Sequence, residues 1–317
     1  MLCVMLAGME HDQRFKALLR TFFAEFLLLF FAEWAARFDL TKIEWLDKEL
    51  LAGDSESSPH LLDMVARVGV RHPVEGYHAE AETPWLVLVH IEIESADQTT
   101  RIKPRMPRYY HRLRAEHELP VLPIVIYLNV HLEGIGEDVY RERFWEFEVC
   151  TFRYLYVGLA GLEAVEYLHG DNWLGVALTA LMRIPPDRVA WLGTEALRRL
   201  SQAPLSGQKR YLLAECVQAY LPLDETQRQV YDRILQSEPY AEVRAMNKTI
   251  FDEGLEKGQL LGAQRIAFAL LEERFGGVSS ALRKHLESLS LDELSSLTRR
   301  IYRAASLEEV GLGGLKD

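Results

Sequence analysis

Apolar side chains return every three or four positions from Arg14 to Phe38 (Phe15, Leu18, Leu19, Phe22, Phe23, Phe26, Leu27, Phe30), a spacing that predicts one helix, greasy around most of its surface. Such a helix needs a sheet to cover it. Ile43–Leu51 reads as a first strand, followed by a Gly/Asp/Ser/Pro loop from Gly53 to Pro59. At Leu61 the period falls to two: in LLDMVARV, Leu62, Met64, Ala66 and Val68 share one strand face, and Asp63 and Arg67 the other. Beyond breakers at Gly69, Pro73 and Gly76, the stretch Trp85–Glu94 is a further strand that alternates from Val89, with Val89, Ile91 and Ile93 on one face and His90, Glu92 and Glu94 on the other. Ile102–Glu116 is helical in pattern. Val121–Val130 (VLPIVIYLNV) is a nearly continuous apolar run of the kind buried on both sheet faces, and Phe144–Val157 supplies one or two more strands.

After Gly161 the pattern is helical. Trp173–Met182, Val189–Leu200 and Lys209–Tyr220 are short helices broken by Pro185, Pro186, Pro204 and Gly207, and Thr226–Lys257 extends the pattern with many charges. Arg265–Phe275, Ser280–Leu289 and Leu291–Ala304 form three amphipathic helices, the last with Ser290 as its cap. The expected class is therefore α/β (α+β): a mixed sheet flanked by helices over residues 1–160, a helical region and linker helix over 161–262, and a small helical C-terminal domain over 263–317.

The chemistry concentrates on the alternating strands. If they pair as neighbours, Asp63 sits beside Glu92, and Glu94 points the same way. Three carboxylates gathered on one face resist ionising together unless a divalent cation neutralises them, which is the shape of a magnesium site. Asp63 and Glu92, joined by the Ile93 carbonyl, are the expected ligands. A carboxylate pair on a strand face is more often solvated surface. What favours a site here is the aspartate on the adjoining strand, the end-of-strand placement and the basic helix that follows. From Arg101 to Arg114 that helix carries Arg101, Lys103, Arg105, Arg108, Arg112 and Arg114, with Tyr109, Tyr110 and His111 among them and no acid. Basic helix faces are commonly just solvated, but without acids to pair with, this one is suited to phosphate.

Composition narrows the classes. Thirty-six Lys and Arg against 47 Asp and Glu give a net charge of −11, which argues against broad polyanion binding and leaves a locally basic surface as the route to nucleic acid. Cys3, Cys150 and Cys216 lie too far apart for a disulfide framework or a CxxC metal pattern, and a reducing cytoplasm is expected. MLCVMLAG lacks the basic start of a signal peptide, and Phe22–Phe38 is interrupted by Glu25, Glu33 and Arg37, so no membrane association is expected. His11 and Asp12 form an HD dipeptide in which Asp12 reads better as a helix start. No HExxH, P-loop, GxGxxG turn or GxSxG elbow is present.

The order HDQRFK (His11–Lys16), LLDMVARV around Asp63, VHIEIES (Val89–Ser95), PRYYHRL (Pro107–Leu113) and LPVLPIVIY (Leu119–Tyr127) resembles the Rpn-type recombination-promoting nucleases and putative transposases. These belong to the PD-(D/E)XK superfamily, whose helix, three strands, helix, strand core matches the order read above. Residues from about Gln264 to Val310 resemble a small uncharacterised helical domain often appended to such proteins. The resemblance implies a Mg2+- or Mn2+-dependent DNA endonuclease linked to recombination or mobile elements, or a catalytically inactive interaction module on the same fold. Asp63 then matches the metal aspartate and Glu92 the acid opening the family's E-x-Q motif. Glu94 stands where the superfamily has lysine and this family usually glutamine, and Arg108 and Tyr109 match an Arg-Tyr pair. The implied DNA surface is Arg101, Lys103, Arg105, Arg108, Tyr109 and Arg112. Self-association into a homo-oligomer is left open.

Overall fold

The computed structural model describes residues 13–46, 64–72, 74, 86–94, 99–128, 132–276, 279–304 and 306–312. The chain divides into two compact units, Met1–Val243 and Arg244–Asp317. The sheet and the helices between residues 161 and 240 thus share the first unit, and residues 262 and 263 fall inside a continuous helix.

In the first unit the predicted single N-terminal helix is three pieces: α1 (13–21), α2 (Phe23–Phe30) and α3 (Ala32–Ala35). The interruption at Phe31 (φ −137°, ψ 48°) has a packing cause. Consecutive positions of a regular helix point about 100° apart. Here Phe30 and Phe31 are both buried, with rings 5.5 Å and 5.8 Å from that of Phe26. Phe38, expected to end the helix, instead opens the first strand.

Six strands form one mixed sheet in the order β1-β2-β3-β4-β6-β5. They are β1 (Phe38–Trp45), β2 (Met64–Val70), β3 (Leu86–Glu94), β4 (Val121–Tyr127), β5 (Gly134–Phe144) and β6 (Phe147–Gly158). β1 pairs antiparallel with β2 and β2 with β3, β3 and β4 are parallel, β4 and β6 are parallel, and β5 closes one edge antiparallel to β6. A parallel pair needs a crossover, and α4 (Thr99–His117) provides it between β3 and β4. The helix, three strands, helix, strand order is therefore present, with a hairpin added. β5 was not anticipated from the sequence because an edge strand with little burial carries no alternation to read. The hairpin's two-residue loop sets Trp145 at φ 56°, where glycine is usual. Gly158, by contrast, cannot be replaced freely, since a Cβ there would run into the Leu132 carbonyl.

Burial on both faces makes β3 and β4 the centre of the sheet: Val87, Leu88, Val89, Ile91, Ile124, Val125 and Ile126 are all nearly inaccessible. α4 covers one face with Ile102, Met106, Tyr109 and Leu113, spaced four, three and four residues apart. Each aliphatic side chain so buried contributes about 1.5–3 kcal/mol. That face is the one carrying His90, Glu92 and Glu94.

The remaining helices of this unit are α5 (Ala164–Leu168), α6 (Trp173–Leu178), α7 (Val189–Ser201), α8 (Gly207–Tyr220) and α9 (Glu225–Gln236). Asn172 caps α6 and donates from Nδ2 to the Glu25 carbonyl at 2.8 Å, tying α6 to α2. α10 (Ala241–Phe275) runs unbroken through Gly254, Gly258 and Gly262, joining the charged helical stretch to the helix read from Arg265. In the second unit α11 (Ser280–Glu287), α12 (Leu291–Arg303) and α13 (Leu307–Val310) pack around Ala267, Leu271, Leu282, Leu286, Leu294, Leu297 and Ile301. Ser290 caps α12 in a capping box with Glu293, as the sequence indicates. No helix among the described residues is long and apolar enough to cross a membrane.

Candidate active site

His90, Glu92 and Glu94 are successive inward positions on β3, and α4 lies over them. Carboxylates on a strand face are more often solvated, but here the three residues are 0%, 0% and 4% exposed. Burying carboxylates is costly unless each finds charged or hydrogen-bonding partners. Arg105 is the main partner. Its guanidinium donates to Glu92 Oε2 at 2.9 Å and to Glu94 Oε1 at 3.2 Å, so one cationic fork holds both acids. Its Nε donates to the Tyr109 hydroxyl at 3.2 Å, one helical turn on, and the guanidinium carbon lies 5.6 Å from the centre of that ring. Burial opposes the Arg105 charge, but the Tyr109 hydrogen bond and the Glu92 and Glu94 charges outweigh it and raise the pKa above its usual value.

The other oxygen of Glu92, Oε1, lies 2.8 Å from His90 Nε2. A carboxylate only accepts, so Nε2 is assigned a proton in this contact. Nδ1 is buried without a hydrogen-bond partner among the described residues. The Tyr109 ring meets the imidazole edge-on at 5.6 Å, so His90, Arg105 and Tyr109 stand together beside Glu92.

A second polar group lies on the same sheet face. Tyr127 stands beside Glu94 in the parallel register of β3 and β4. Its hydroxyl is 3.5 Å from that of Tyr154, which donates to Asp138 Oδ2 at 2.6 Å, and Lys103 donates to Asp138 Oδ1 at 2.9 Å. Burial pushes Tyr127 up to about 12, helped by the Asp138 and Glu94 charges. Asp138 shows the opposite balance: burial would raise its pKa, but the Tyr154 and Lys103 hydrogen bonds hold it below the ordinary value of 3.8. None of Tyr127, Tyr154 and Asp138 was singled out from sequence, although Phe152, Tyr154 and Tyr156 alternate with the period of a strand.

The expected site residues therefore fall into three groups. Glu92 and Glu94 are brought together at the end of β3. Asp63 lies outside the described residues; it precedes Met64, whose partner across β2 and β3 is Ile91. The basic helix is divided by its own periodicity: Arg105 turns inward to the carboxylates and Tyr109 is buried, so neither presents an open phosphate contact. Lys103 pairs with Asp138, Arg112 approaches Glu116 at 4.0 Å, Arg108 is exposed, and the Arg101 side chain is outside the described set. The Arg-Tyr pair that acts on the carboxylates is thus Arg105 with Tyr109, four residues apart, rather than the adjacent Arg108 and Tyr109.

Carboxylate oxygens are the donors a hard cation such as Mg2+ takes, so the chemistry of Glu92 and Glu94 suits one. Among the described residues no three His, Cys, Asp or Glu side chains gather into a metal-ligand set. No protein-family model, no curated protein and no solved structure matches the chain.

Proposed function

We propose that the end of β3 is the centre of a divalent-cation-dependent DNA endonuclease of the PD-(D/E)XK kind, as the resemblance to Rpn-type nucleases implies. The observation that carries this reading is the convergence of two buried carboxylates on one guanidinium at the end of a central strand. Asp63 and Glu92, with the Ile93 carbonyl, would hold the ion, and Glu94 would orient or deprotonate the attacking water. A bound Mg2+ or Mn2+ polarises the phosphoryl oxygen and lowers the pKa of its water. Arg105 keeps both carboxylates turned toward one point, and Tyr109 fixes Arg105. Arg108, exposed on α4, is available to a backbone phosphate.

The experiment is a plasmid-nicking assay in Mg2+ or Mn2+. The wild type converts supercoiled plasmid to open circle, and Asp63→Ala and Glu92→Gln each abolish the conversion. Cleavage surviving in both variants refutes the assignment. One feature favours a second reading, a catalytically inactive interaction module: Glu92 is wholly buried and both of its oxygens are already engaged, by His90 and Arg105. Intact plasmid, with DNA retained equally by the wild type and Asp63→Ala, would establish that reading instead.

A further inference from the structure

The second unit carries a charge arrangement that its own fold does not use. Arg299, Arg300 and Arg303 on α12 line an open pocket of about 370 Å3 together with Ser296 and Glu309. All three arginines are exposed, and none of their side chains takes a hydrogen bond or ion pair among the described residues. Arg299 and Arg303 are four residues apart and Arg300 and Arg303 three, so these like charges are surface neighbours and repel by about 0.2–0.5 kcal/mol per pair.

The ordinary account of arginines in a last helical turn is that they complement the carbonyl end of the helix. Here that role is taken. Arg274, reaching from α10, donates to the carbonyls of Ile301, Tyr302 and Ala304, which are the carbonyls α12 leaves over at its end. Among the described residues the three arginines have no structural partner. Tyr302, 74% exposed, stands on the same turn, three residues from Arg299 and next to Arg303. Cationic forks beside an exposed aromatic ring suit a ligand with phosphates and unstacked bases. Local charge permits it: residues 244–317 contain eleven Lys and Arg and eleven Asp and Glu, so the surplus of acid lies wholly in residues 1–243.

We propose that this face of α12 binds single-stranded nucleic acid, with Arg299, Arg300 and Arg303 on consecutive backbone phosphates and a base stacked on Tyr302. The site is separate from the carboxylates of β3 and does not depend on cleavage. It is tested with the full chain in EDTA, by fluorescence anisotropy of a labelled oligothymidylate across a salt series. Replacing all three arginines with Gln should weaken binding at least tenfold and reduce the log-log salt slope by about two units, at about 0.7 per phosphate contact on a single strand. Tyr302→Ala should weaken binding about tenfold while leaving the slope unchanged, since a base stack releases no counterions. A triple Lys variant, which keeps the charge, should retain the slope, and a urea midpoint unchanged in every variant confirms that the fold is intact. Wild-type affinity and slope in the triple Gln variant would overturn the proposal. So would displacement of the oligonucleotide by polyglutamate as effectively as by unlabelled oligothymidylate, which would assign the face to acidic protein segments.

Discussion

In the sheet unit Glu92, Glu94, Arg105 and His90 are withdrawn from water and pair with one another, whereas on α12 of the second unit Arg299, Arg300 and Arg303 stand in solvent and engage no acid among the described residues. The net charge of −11 describes neither place. A basic stretch that looks like a phosphate surface in sequence, α4, spends its best-placed arginine on internal carboxylates. A helix whose charges carry no functional expectation in sequence, α12, keeps its arginines without a partner among the described residues. What decides between the two is whether the helix periodicity carries a cation over a buried acid or out to solvent.

The sharpest way to break this contrast is to remove the buried cation. Arg105→Ala leaves two buried carboxylates without their shared partner and should cost about 3–5 kcal/mol in urea unfolding of the sheet unit. Arg105→Lys should recover only part of it, because an ammonium cannot fork to both acids. A loss below 1 kcal/mol would mean that the cluster is not held as described.

A smaller effect separates the outward residue of the same helix. Arg108→Ala should lower the salt slope of duplex DNA binding by about 0.9, the value of one phosphate contact, without changing the urea midpoint. An unchanged slope would move the duplex away from α4. Smallest of all is the acid limb of stability contributed by Asp138. Its folded pKa lies below the ordinary 3.8, so its contribution is complete above that value and is lost as pH falls through the folded pKa. The difference in unfolding free energy between wild type and Asp138→Asn should therefore be constant near neutrality and shrink below about pH 4. A difference that instead grows on acidification would contradict the Tyr154 and Lys103 hydrogen bonds.

The sheet core was legible where burial imposes a period. Residues 89–94 alternate, Met64, Ala66 and Val68 share one face, 121–127 are continuously apolar, and each stretch lies in a strand, as expected. The same alternation could not show that the polar side of β3 is covered, because period two reports only that two faces differ. What covers it is α4, and the clue was the apolar line Ile102, Met106, Tyr109 and Leu113, which carries Arg105 onto the sheet with it. The hairpin strand β5 escaped notice because its burial is slight, and Asp138 with it. The break at Phe31 was hidden for the opposite reason: a helix greasy on all sides has no polar stripe to show where it turns.

The most direct measurement is calorimetric titration of Mn2+ and Mg2+ into the wild type, Asp63→Ala and Glu94→Gln. If the end of β3 is a divalent-cation centre, the wild type binds with measurable heat, Asp63→Ala loses it, and Glu94→Gln binds more weakly because a neutral amide replaces a carboxylate beside the ion. Affinity in the wild type should also fall as pH drops through the acidic range, where protons compete for the same oxygens. Equal and negligible heats from all three proteins would contradict the account.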